Sequence, residues 1–208
     1  MSPVRLGELV TPECCAVVVQ EMQNGVVGDE SALPHLAEAV REVGVIEQLP
    51  RLLDAARRAG VPVVHTTAES LPGRFGANRN ARLFAGARAA GAANASGTRS
   101  VEPIAELGGW HDDIVLPRYH GLSPMTGGPL DSVLRNQGIT TLVLTGVSLN
   151  IAITNLTMDA VNRGYQVVIP SDTVAGYPVE FGRAILDNVL HLLATITTTD
   201  DVVTAWHQ

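Results

Sequence analysis

Cysteine is scarce in this chain. There are two among 208 residues, and they are neighbours, Cys14-Cys15. Adjacent residues in a strand point to opposite faces, so these two are not expected to pair with each other. A chain without a disulfide framework is expected in a reducing, cytoplasmic compartment. Each thiol has two readings, a nucleophile or a buried strand residue, and a Cys in an apolar run commonly behaves as a small hydrophobe. Positive charge is also short. Against 21 Asp and Glu stand 14 Lys and Arg, leaving a net charge of −7 and a pI near 5.3. No basic stripe exists to meet phosphates, which argues against nucleic acid and anionic membranes as primary partners. No apolar run is long enough to span a bilayer. Residues 1–13 lack the basic-then-apolar pattern of a signal peptide. There is no internal repeat and no domain linker. The composition, 46% hydrophobic and 17% charged, suits a well-buried core. The length suits one domain over residues 1–208.

The apolar residues fall into short runs punctuated by turns. Thr141-Leu142-Val143-Leu144 ends in Thr145-Gly146, and Gln166-Val167-Val168-Ile169 ends in Pro170-Ser171-Asp172. Between them, residues 151–163 carry Ile151, Ile153, Leu156, Met158, Ala160 and Val161 at helical spacing, and Gly164 supplies the stop. Strand, helix and strand in this length make a parallel βαβ unit. Ligands in such units bind beyond the carboxyl ends of the strands. Residues 146–152 are therefore expected to line a site. The helix start there offers N–H groups to an anion or a developing oxyanion.

The remaining segments repeat this alternation. Residues 14–20, CCAVVVQ, read as a central buried strand leading into Gln20-Glu21-Met22-Gln23-Asn24-Gly25. Burial at such a strand end can tune the Glu21 carboxylate toward acid or base work. A solvated loop glutamate is the plain alternative. Residues 45–60 form an amphipathic helix closed by Gly60. Residues 61–67 form a second strand that brings His65, Thr66 and Thr67 to the same sheet edge as Glu21. Residues 71–100 differ in texture, being rich in Gly, Ala, Asn and Arg, with a helix expected over 79–90. They read as an excursion over one sheet edge, a lid or an oligomer contact extending toward residue 110. Arg74, Arg79 and Arg82 either reach an anionic substrate from there or are simply solvated. Ile114-Val115-Leu116 is a third strand, breaking at Pro117-Arg118-Tyr119-His120-Gly121. Helices over 129–137 and 179–193 and a β-branched strand over 194–198 complete the pattern. Strand and helix in alternation give an α/β fold with a parallel sheet.

At Val17-Val18-Val19-Gln20-Glu21-Met22-Gln23-Asn24 the chain resembles the isochorismatase-like hydrolases, which include nicotinamidases, other small-amide amidases and isochorismatases. The resemblance continues through Pro62-Val63-Val64-His65-Thr66 and is strongest over Leu144-Thr145-Gly146-Val147-Ser148-Leu149-Asn150-Ile151-Ala152. It extends over Asp159-Ala160-Val161-Asn162-Arg163-Gly164-Tyr165 and Asp172-Thr173-Val174-Ala175-Gly176. Several ordered motifs make it specific. It implies a three-layer αβα, Rossmann-like fold with a six-stranded parallel sheet, assembled as a homodimer or homotetramer. It implies a non-proline cis peptide at Val147-Ser148. It also implies an Asp–Lys–Cys triad, in which the Cys attacks a carbonyl.

All three triad positions depart from that pattern. Glu21 stands for the Asp and Ala152 for the Cys. The Lys position falls on Tyr119, or on Arg118 with a one-residue shift. Alanine has no nucleophile, so an acyl-enzyme route is closed. Isochorismatases proper carry Gly there and use their Asp as an acid on a vinyl ether. Glu21 is thus the expected general acid/base, and Arg118, whose guanidinium stays charged, a carboxylate anchor. Tyr119, His120, Ser148, Asn150 and His65 are the expected substrate-binding set. After His65 the chain lacks the Asp and second His of the nicotinamidase metal site, so neither metal nor cofactor is expected. The function expected is thiol-independent hydrolysis of a small molecule. The alternative is an inactive relative kept as a binding or assembly module.

Overall fold

In the computed structural model of the chain, residues 5–89, 91 and 94–207 are described. The chain runs α1 (Leu6–Leu9), β1 (Cys15–Gln20), α2 (Pro34–Val43), α3 (Val45–Arg58), β2 (Val63–Ala68), α4 (Arg82–Ala89), β3 (Ile114–Arg118) and α5 (Leu130–Asn136). It continues through β4 (Thr141–Val147), a π-helical turn Leu149–Ile153, α6 (Thr154–Asn162), β5 (Gln166–Pro170), β6 (Val174–Ala175), α7 (Val179–Asn188), β7 (Thr195–Thr197) and α8 (Thr199–Trp206). The helix expected over 151–163 therefore opens as a wider turn two residues earlier. The one expected over 179–193 stops at Asn188, before a short 3-10 turn, Leu190–Leu192. The helix expected over 79–90 is α4, with Ala90 outside the described residues.

The strands lie in the order β3-β2-β1-β4-β5-β7, every pair parallel. The sheet has seven strands rather than the six expected, because β6 pairs with β4 off this path. The cause is a difference in length. β5 stays in register with β4 only as far as Val143↔Val168, while β4 runs on to Val147. The exposed end is taken up by Gly146↔Val174 and Val147↔Ala175.

Both faces of the sheet are covered, which is why β1 and β4 read as unbroken apolar runs. Cys15, Val17 and Val19 pack toward the α3 layer with Leu49, Leu52 and Leu53, while Ala16 and Val18 join Leu130, Leu156 and Ile153 on the other face. Three helices, α1, α2 and α8, are not expected from the sequence pattern. α2 follows Pro34 at its first turn, and α8 is capped by Thr198, whose hydroxyl accepts from the Asp201 backbone N–H at 3.3 Å. Among the described residues no helix is long and apolar enough to cross a membrane.

Candidate active site

The parallel register brings the carboxyl ends of the central strands to one level. Gln20 sits beside Thr66 of β2 and Gly146 of β4. A Cβ on Gly146 would lie 2.2 Å from the Gln20 carbonyl oxygen, so this approach of β4 to β1 needs glycine, which also takes φ +98°. The next residue, Glu21, has φ 53°, in the left-handed region that residues with a side chain rarely occupy. The chain turns there, and the Glu21 backbone N–H donates to the Thr66 carbonyl at 2.9 Å.

The Glu21 carboxylate is held from two sides. The Gln20 amide donates to its Oε1 at 2.8 Å, and Gln20 is itself fixed by the Thr66 hydroxyl at 2.7 Å. Arg118, at the end of β3, donates from Nη2 to the same Oε1. Both members of the pair are largely buried, with side chains 15% and 14% exposed. The other terminal nitrogen of Arg118 donates to the Gly121 and His120 carbonyls. Between Arg118 and Tyr119 it is thus Arg118 that meets Glu21. Its fork is occupied by Glu21 and the following loop. The chain has no lysine, so every strong side-chain cation in it is an arginine.

Glu21, Arg118, Tyr119, His120, Ser148 and Ala152 line one cavity of about 210 Å³. The peptide Val147-Ser148 is cis, as the resemblance implies. The Ser148 carbonyl accepts from the Ile151 and Ile153 N–H groups at 3.2 and 3.0 Å, which starts the π-helical turn at the cavity edge. The far wall comes from segments that the sequence reading left unassigned or only loosely placed. Leu33 and Leu36 contribute from α2 and its approach, and Phe84 and Ala87 from α4. Residues of the 71–100 excursion thus form part of the cavity wall.

Two expected site residues are elsewhere. His65 alternates with Val64 and so shares the α3 face with Val63. There it is 2% exposed, and its Nε2 lies 2.8 Å from Asp113 Oδ2, which also accepts from Arg57 at 2.7 Å. Burial pushes the Asp113 carboxyl up, but the hydrogen bonds from His65 and Arg57 outweigh it and hold the group below the usual aspartate range. Asn150 is turned away as well. Its amide donates to the Tyr177 carbonyl at 2.7 Å and its Oδ1 accepts from the Tyr177 N–H at 3.0 Å. Gly176 makes room for it, since a Cβ there would meet Asn150 Oδ1 at 2.2 Å.

Gln23 and Asn24, quoted in the first motif but given no role, tie the site together. Gln23 exchanges hydrogen bonds with the backbone of Ala68 at 2.7 and 3.0 Å and donates to Ser100 at 3.2 Å. Asn24 donates to the Arg99 and Glu102 carbonyls at 3.1 and 3.2 Å. Together they join the end of β2 to the return of the excursion. Their signal was the clustering of amides at a strand end, where loop carbonyls need donors.

The cysteines sit at the other end of β1, about 20 Å away by strand length. Cys15 is buried, donates to the Val10 carbonyl at 3.3 Å, and is pushed up to about 12 by burial. Among the described residues no three His, Cys, Asp or Glu side chains are grouped to hold a metal ion.

The isochorismatase domain model matches residues 15–201, most of the chain. Ureidoacrylate amidohydrolase RutB of Variovorax paradoxus is 31% identical over 176 residues, covering 77% of this chain and 68% of that protein. The cysteine hydrolase structure from Pseudomonas syringae pv. phaseolicola superposes with a TM-score of 0.82 at 24% identity, covering 100% of this chain and 99% of that one. N-carbamoylsarcosine amidase from Thermoplasma acidophilum gives 0.69 at 25% identity, covering 90% and 97%. With its motifs, its sheet and nearly its whole length accounted for, the chain belongs to the isochorismatase family.

Proposed function

We propose that this chain is a hydrolase of a small amide or ureide that works without a cysteine nucleophile, with Glu21 as general base and then general acid. The observation that carries this is the Glu21–Arg118 pair opening onto a cavity that Ala152 and Ser148 also line. The relatives' names, an amidohydrolase and an amidase, favour C–N cleavage over vinyl-ether cleavage. The guanidinium already bonded to Oε1 favours a carboxylate that first accepts a proton over an acid that first donates one.

In this reading a water molecule attacks the substrate carbonyl directly. Glu21 takes the water's proton as the C–O bond forms, and the carbonyl π electrons move onto oxygen. The N–H groups at the start of the turn after Ser148 stabilise that oxyanion. When the tetrahedral intermediate collapses, the C–N bond breaks and Glu21 returns the proton to the leaving nitrogen. Arg118 keeps the carboxylate oriented throughout. Ala152, where the resemblance implies a thiol, leaves room for the water.

The same pair also supports a second reading. Glu21 and Arg118 satisfy each other, and a self-satisfied pair beside an alanine suits a binding module with no chemistry. A panel of small amides and ureides decides between them. Glu21→Gln is expected to lower turnover at least about a hundredfold, within the range general acid–base catalysis supplies, while iodoacetamide leaves the unmodified chain active. Loss of activity on alkylation sinks the thiol-free route. Equal turnover by Glu21→Gln removes Glu21 from the chemistry.

A further inference from the structure

Gln20 is an amide where the strand pattern calls for an apolar side chain. It closes β1 after Cys15, Ala16, Val17, Val18 and Val19, and it is 0% exposed. By alternation it shares the face of Ala16 and Val18, while Thr66, 1% exposed, shares the face of Val64. The two side chains therefore lie side by side across the register of β1 and β2. An amide buried this deeply destabilises the fold unless both its ends are bonded. Here both are. The Thr66 hydroxyl donates to Gln20 Oε1 at 2.7 Å, a closer partner than the Val19 carbonyl at 3.3 Å, and Gln20 Nε2 donates to Glu21 Oε1 at 2.8 Å. A carboxylate only accepts, so the amide faces it nitrogen first and leaves its oxygen for the hydroxyl.

The donors to Glu21 converge on one oxygen. Gln20 and Arg118 both bond to Oε1, and among the described residues Oε2 accepts no hydrogen bond. Oε2 is not sealed in, because no buried side-chain oxygen or nitrogen among the described residues lacks a partner. It therefore reaches accessible space, and the space that Glu21 lines is the cavity shared with Ser148 and Ala152. The last torsion of a glutamate is soft, and half a turn would exchange its two oxygens. Two donors on Oε1 oppose that turn. Neither Gln20 nor Thr66 lines the cavity, so each can act on a guest only through Glu21.

We infer that Thr66 and Gln20 form a positioning relay that saturates Oε1 of Glu21 and reserves Oε2 as the atom that exchanges the proton. The inference rests on the hydrolase reading above for its chemistry and on the fold alone for the relay. In the first step a lone pair of Oε2 takes a proton from the attacking water, and the electron pair of the broken O–H bond becomes the new C–O bond. Oε2 later gives that proton to the leaving nitrogen.

Two measurements test this, one of them without turnover. The first is hydrogen exchange of the Gln20 side-chain amide, read by NMR and assigned by its loss in Gln20→Met. Thr66→Val is expected to speed that exchange at least about tenfold, since a buried hydrogen bond is lost. Thr66→Ser, which keeps the hydroxyl, is expected to restore the protection. The second is turnover of acetamide, succinamide, methylurea and ureidoacetate. Gln20→Met is expected to lower kcat at least about tenfold at unchanged KM, the mark of an interaction that counts only in the transition state. Thr66→Val is expected to lower kcat when Gln20 is present and to add nothing to Gln20→Met, because a residue acting through Gln20 loses its effect once the amide is gone. Unchanged exchange in Thr66→Val overturns the relay whether or not the chain is active. The expected exchange with additive losses of kcat, or with none, overturns the positioning role. The expected exchange with no turnover of any probe by the unmodified chain sinks the hydrolase reading and the role of Oε2 with it, while the relay stands.

Discussion

Glu21 and Arg118 form an ion pair although the strands that carry them do not touch, for β2 lies between β1 and β3. The pair arches over the end of β2. Beneath it the Glu21 N–H donates to Thr66, and the Glu69 N–H donates to the Arg118 carbonyl at 2.9 Å. Ninety-seven residues separate the partners in sequence. The pair is therefore a product of the sheet order, and it sits where three strand ends open onto one cavity.

Arg118→Lys is expected to lower turnover at least about tenfold in the amide and ureide panel. Arginine's fork reaches Glu21 and two loop carbonyls at once, whereas an ammonium is a compact charge that cannot span them in the same geometry. Steady-state kinetics check this. Full activity in the lysine variant means that positive charge alone is enough.

A thiol at position 152 should behave unlike the buried Cys15. Ala152→Cys puts sulfur on the cavity wall, and is expected to react with iodoacetamide in the folded protein. Cys15, pushed up to about 12 and buried, is expected to react only on unfolding. Mass spectrometry of alkylated native and urea-unfolded samples reads both. No labelling at position 152 shows that the cavity does not admit a small reagent.

The His65–Asp113–Arg57 cluster is expected to stabilise the fold without entering the chemistry. Asp113→Asn should cost roughly 2–3 kcal/mol, short of a fully buried pair because Arg57 remains partly exposed. The folded Asp113 carboxyl lies below its usual value, so its contribution is present above about pH 4, the unfolded range. It is lost as pH falls through the folded value. Urea unfolding at pH 7 and at pH 3 is expected to show the gap between the two proteins narrowing in acid. An unchanged gap assigns the stabilisation to packing instead.

Much of the fold was legible in the sequence because its signals are local. A strand buried on both faces needs a continuous apolar run, and 141–144 and 166–169 are such runs. A helix on a sheet needs one apolar stripe, and 45–58 has it. Those patterns, with Gly146 and the Gln-Glu-Met-Gln-Asn segment, placed Glu21, Arg118, Ser148 and Ala152 near one another before any coordinates. The sequence did not disclose α2 as a cavity wall or the short β6, since these depend on where distant segments come to rest.

The chain's own residue order determined the strand ends, the face each side chain takes and the family motifs, because alternation and burial follow from neighbours in sequence. Tertiary structure alone decided what each polar group does once there. His65 turned to Asp113, Asn150 to Tyr177 and Arg118 to Glu21, each to a partner that local pattern could not name. The physical reason is that a buried donor or charge takes whichever partner the packed elements bring within hydrogen-bond reach.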